Sequence, residues 1–106
     1  NCPKSVIQCV WYYFSQFYGE LSHACEIRIR PLVALSDAVF DLFPGGSLEY
    51  EDDNFASLAA YCKNEVAHER ILGFLQTTWE PVIPEWRDML RRSAETVGEA
   101  RAMWGE

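Results

Sequence analysis

Val6-Ile7-Gln8-Cys9-Val10-Trp11-Tyr12-Tyr13-Phe14, residues 6–14, is an almost unbroken apolar run near the start of a 106-residue chain. Its reading sets the fold class. From Ile7 the apolar positions continue through Val10, Trp11, Phe14, Phe17, Tyr18 and Leu21 to Ala24 and Cys25. Steps of three or one residues trace the stripe of an amphipathic helix. Pro3 suits a first helical turn. Gly19 lies inside the pattern and lowers helix stability by about 1 kcal/mol relative to Ala. The spacing predicts a central helix over residues 4–26, kinked at Gly19.

Downstream, Glu26-Ile27-Arg28-Ile29-Arg30 alternates in strand fashion. Five residues without a second strand make no sheet, so the segment is expected to be an extended connector. Pro31 then opens a short helix carrying Leu32, Val33, Leu35, Val39, Phe40, Leu42 and Phe43, stopped by Pro44-Gly45-Gly46. Acids precede the next helix, with Asp53 or Asn54 as N-cap. That helix is expected from Asn54 to about Thr78, facing inward at Phe55, Leu58, Ala59, Cys62, Val66, Ile71, Leu72 and Leu75. Trp79-Glu80-Pro81-Val82-Ile83-Pro84-Glu85-Trp86 reads as a helix–helix joint, because Pro81 cannot extend one helix while Pro84 can begin the next. The last helix carries Trp86, Met89, Leu90, Val97 and Trp104, with Asp88–Arg92 and Arg91–Glu95 spaced for surface pairs. The expected fold is all-α: a small four-helix bundle forming a single domain over residues 1–106, cut or processed from a longer protein.

The net charge of −7 opposes nucleic-acid binding, which needs a basic face. No apolar run reaches the ~18 residues of a membrane span. Between Pro31 and Cys62 stand Asp37, Asp41, Glu49, Glu51, Asp52 and Asp53 with no base among them. Such asymmetry favours a protein partner with a basic surface; a second copy of the chain is the other candidate. Cys2, Cys9, Cys25 and Cys62 allow two disulfides. Cys9 and Cys62 fall on apolar faces, which favours reduced thiols and an intracellular chain over a secreted one.

Glu20-x-x-His23 and Glu65-x-x-His68 repeat the carboxylate–imidazole spacing of di-metal helical bundles, and these ligands suit iron. A zinc set from His23, Cys25, Cys62 and His68 matches no standard spacing. Asp52-Asp53, with Glu49 and Glu51, has the composition of a magnesium site and equally that of a helix N-terminus. Tyr50 within it is a candidate modification site. No nucleophile motif or phosphate loop is present. The favoured function is therefore a non-catalytic protein–protein interaction module without cofactor. Its partner-binding residues are Trp11, Tyr12 and Tyr13 of the first helix, Trp104 of the last, and Glu49, Glu51 and Asp52 of the acidic loop. The alternatives are a metal-binding bundle using Glu20, His23, Glu65 and His68 with iron or zinc, and a secreted, disulfide-stapled ligand or effector.

Overall fold

The stretch 6–14 is not helical, and from Ile7 onward it runs as extended chain with parallel bridges at Gln8 and Trp11, which overturns the four-helix bundle. The structure, a computed structural model, describes residues 2–14, 16–47, 53–79 and 82–104. Among these, the elements in chain order are α1 (His23–Asp37), β1 (Gly45–Ser47), α2 (Asn54–Glu65), β2 (Leu75–Thr77) and α3 (Arg87–Trp104). Single 3-10 turns span His68–Arg70 and Pro84–Trp86. Beta-branched and aromatic residues fill 6–14, and such side chains favour the pleated conformation. A parallel strand buried on both faces also reads as a continuous apolar run, which mimics a central helix.

β1 pairs with β2 in parallel, Gly45 opposite Leu75 and Ser47 opposite Thr77. Parallel bridges Gln8–Leu42 and Trp11–Gly45 add the first segment to the other side of β1. Its bonds repeat regularly: the Gln8 amide donates to the Asp41 carbonyl, Gly45 to Val10, and Tyr12 to Gly45, at 2.9–3.0 Å. On the opposite side the register shifts. Leu42 bridges to Ile71 but Gly45 to Leu75, an offset of 71 − 42 = 29 against 75 − 45 = 30. The extra residue marks a bulge at Leu72-Gly73. The chain thus alternates extended segment, helix, extended segment, helix, with consecutive strands adjacent.

Right-handed crossovers stepping in one direction place successive helices on one side of a sheet, and the core has that form. Tyr12 and Leu42 pack with Cys25, Ile29 and Leu32 of α1 and with Leu58 and Cys62 of α2. Phe55 and Ala59 of α2 pack with Ala100 of α3 and with Phe74. Leu32, Leu42 and Leu58 are wholly buried, each contributing about 1.5–3 kcal/mol.

Asn54, the first residue of α2 and itself wholly buried, ties these layers together. Its side-chain oxygen accepts the Ser47 amide at 2.9 Å. Its nitrogen donates to the carbonyls of Tyr12, at 2.9 Å, and Phe14. Gly46 is required beside it, because a Cβ there would stand 2.8 Å from the Asn54 oxygen. Gly45-Gly46, which the sequence presents as a helix stop, is the core of β1. Asp53 does occupy the N-cap position but makes no side-chain cap bond.

The remaining corrections concern boundaries. α1 begins at His23, with the Ser22 hydroxyl accepting the Cys25 amide at 3.2 Å. It absorbs Glu26–Arg30, where Glu26 and Arg30 pair at 2.8 Å one turn apart. Pro31 lies inside this helix and does not open a second one. Proline withdraws the bond to residue 27, and Ile27 is exposed, so water can serve that carbonyl. α1 ends at Asp37, not Phe43. The Phe40 amide reaches back to Leu35 and Val39 to Ser36, a Schellman closure with Val39 at φ 68°. α2 stops at Glu65, and residues 71–77 return as extended chain, leaving Leu72 and Leu75 exposed. Trp79 therefore follows a strand, and the 79–86 joint is strand-to-helix. Glu80 and Pro81 lie outside the described residues. Pro84 does begin the turn leading into α3. On α3 Arg91 and Asp88 pair at 3.9 Å, exposed, and the pair is worth little.

Two substitutions probe this frame in denaturant melts. Val39→Gly relieves a left-handed β-branched residue that buries little, and should stabilise by about 1 kcal/mol. Asn54→Ala orphans two carbonyls and an amide, and should destabilise by about 2–5 kcal/mol. An unchanged midpoint for either removes the corresponding account.

Candidate functional site

With the helices on one side, the sheet's other face carries exposed apolar side chains. Alternation along the strands decides what it carries. Tyr12 turns inward and is 1% exposed. Its neighbours Trp11 and Tyr13 turn the other way, joined there by Phe43, Leu75, Thr77 and Trp79. Trp11 and Trp79 are 58% and 64% exposed. The Tyr13 ring bridges them, with centroids 5.9 Å from Trp11 and 6.5 Å from Trp79. The Thr77 hydroxyl lies 3.4 Å from the Tyr13 hydroxyl and donates to the Gly46 carbonyl at 3.1 Å. The result is an aromatic platform near the C-terminal ends of the parallel segments, the end at which open parallel sheets bind ligands.

The proposed partner-binding residues separate accordingly. Trp11 and Tyr13 share the bare face. Tyr12 belongs to the core, where its hydroxyl donates to the Gln16 carbonyl. Trp104 lies on the helical side, edge-on to His68 at 4.8 Å and to Phe74 at 5.3 Å. No common groove joins it to Trp11, because the sheet intervenes. Glu49, Glu51 and Asp52 lie outside the described residues, as does Tyr50. Of the acidic stretch, Asp41 pairs with Arg70 at 3.2 Å. Reasoning from sequence missed Thr77, Trp79 and Leu75 as surface-formers, because they were placed on a helix. The Leu-Gln-Thr-Thr-Trp composition of 75–79 was the available strand signal.

Neither Glu-x-x-His pair sits on one helix. Glu20 precedes α1 and His23 is its first residue, while Glu65 ends α2 and His68 begins a separate turn. Glu65 accepts a hydrogen bond from the Tyr18 hydroxyl at 3.3 Å. Among the described residues no three His, Cys, Asp or Glu side chains converge as a metal would require, the zinc set included. No helix among them is long and apolar enough to cross a membrane.

A cavity of about 570 Å³ opens on the helical side between α3 and the start of the last extended segment. Ile71, Phe74, Phe55, Val97 and Trp104 form much of its wall, and His68, Glu69 and Arg101 add polar groups. No family model, no curated protein and no solved structure matches this chain.

All four cysteines are free, Cys2 and Cys9 exposed, Cys25 and Cys62 buried. Burial pushes the Cys62 thiol up to about 12. Titration with a chromogenic disulfide at pH 8 should therefore find two fast thiols, the other two reacting only on unfolding. Because the thiol is raised in the folded state, its contribution is intact below the unfolded value near 8.5 and is lost as pH climbs towards 12. Four fast thiols, or none, would contradict this packing.

Proposed function

We propose that the chain is a non-catalytic interaction module whose working surface is the bare sheet face. The observation that supports it is the exposure of Trp11 and Trp79 on either side of Tyr13. Large aromatic patches on one face of a small domain mark contact sites, and Trp and Tyr supply most binding energy in such contacts. Parallel sheets are ordinarily covered on both faces, which adds a reason for this side to be occupied. The partner is a protein. With a net charge of −7 on this chain, a basic surface around the partner's apolar centre favours encounter.

Photo-crosslinking in the source cells tests the surface. Benzoylphenylalanine replacing Trp79 should give crosslinks to protein, read as linked peptides by mass spectrometry, at several times the yield obtained from the same group at Arg92 on α3. Equal yields from the two positions would remove the bare face from consideration.

A further inference from the structure

Resting on that reading, we infer what the partner is: further parallel β/α units that pair with both open strand edges, close the sheet into a barrel, and belong to the same polypeptide as residues 1–106. Four observations converge on this.

The first is the edge formed by the N-terminal segment. Gln8, Val10 and Tyr12 turn their backbone groups to the central strand. Cys9 and Trp11 between them aim theirs outward, where no partner stands among the described residues. The second is the opposite edge. The Leu75 amide is bonded to the Pro44 carbonyl, so Gln76 directs its own backbone away from β1. The side-chain amide of Gln76 is also buried with neither atom hydrogen-bonded among the described residues, a state that proteins avoid.

The third is the placement of α3. Ala100 packs beside Phe55 and Ala59, and three residues on the Met103 carbonyl accepts from Lys63 at 2.7 Å. Both partners advance together, so α3 runs parallel to α2. It stands as one more crossover helix on the same side, displaced towards the open edge of β2. The cavity beneath it, which Phe74, Val97 and Trp104 help to line, is where a strand beside β2 would send its side chains. The fourth is the one-sidedness of the helices. Open doubly wound sheets carry helices on both faces, whereas a β/α barrel carries them outside only and fills its inside with strand side chains. Trp11, Phe43 and Leu75 are then interior residues awaiting the opposite wall.

Self-association supplies this wall less well. Copies of a unit of three adjacent parallel segments add up to six or nine strands, not the eight of a β/α barrel. Each copy would also bring a further −7 of charge. In the completed fold, Tyr13, Thr77 and Trp79 lie on the rim at the C-terminal strand ends, the rim where such barrels place their binding sites.

The test is the covalent mass of the natural gene product. An antibody raised against residues 1–106 should detect, under denaturing and reducing conditions, a single chain of roughly 25 kDa or more, since a barrel takes about 250 residues. A natural chain at 12.2 kDa would overturn the proposal. The Trp79 crosslink separates this from the interaction reading. The linked peptide should come from outside residues 1–106 without raising the denatured mass. An adduct to a second copy or to an unrelated protein would overturn the barrel while leaving the bare face as a contact surface. Yields no higher than at Arg92 would end both.

Discussion

One buried amide holds the layers of this protein in register. Asn54 opens α2, yet its side chain is spent on the backbone of two other segments, accepting from Ser47 and donating to Tyr12 and Phe14. A carboxamide is suited to this place: it offers two donors and an acceptor on one planar group, and all three are used. A neutral group also avoids the burden that a buried carboxylate would carry. Gly46 passes so near that no side chain fits between. The end of the N-terminal segment, the end of β1 and the start of α2 are thereby fixed at one point, the C-terminal side of the sheet.

The one-sided layering follows from that point and from the core. Cys25, Ile29 and Leu32 reach the sheet from α1 as Leu58 and Cys62 do from α2, so the apolar side chains of alternate strand positions are consumed on the same side. Several of the intervening side chains, Trp11 and Leu75 among them, remain apolar and exposed. A sheet face that exposes Trp11 and Trp79 in this way presents a surface suited to occupation. The interaction reading rests on this contrast between the two faces of one sheet, and the barrel reading on the edges that bound it.

Legibility from sequence followed the kind of signal available. The inward face of α2 was readable from Phe55 to Cys62, because polar residues between the apolar ones give the helical period. The last helix was readable from Pro84 and its charged face. The stretch 6–14 was not, because a segment apolar on both faces carries no alternation. Helical steps can be picked from it by chance, and only its β-branched and aromatic content spoke for extension. The same error turned Ile71, Leu72 and Leu75 into a continuation of α2. Glu26–Arg30 failed in the opposite sense: its strand-like alternation lies on a helix whose Ile29 faces the core and whose Ile27 does not. Trp11 was legible as an aromatic that reaches the surface, but Trp79 was not, since its place beside Tyr13 depends on pairing between segments more than sixty residues apart in the chain.

The account stands on residues 7–13 being a parallel strand beside 42–47. Backbone NMR on the isotopically labelled chain measures this most directly. Carbon secondary shifts over 7–13 should be of the extended type, with slowly exchanging amides at Gln8, Tyr12 and Gly45, the donors of the ladder. Helical shifts running from residue 6 through residue 18, with consecutive amide–amide contacts, would contradict the parallel sheet and every functional reading built on its two faces.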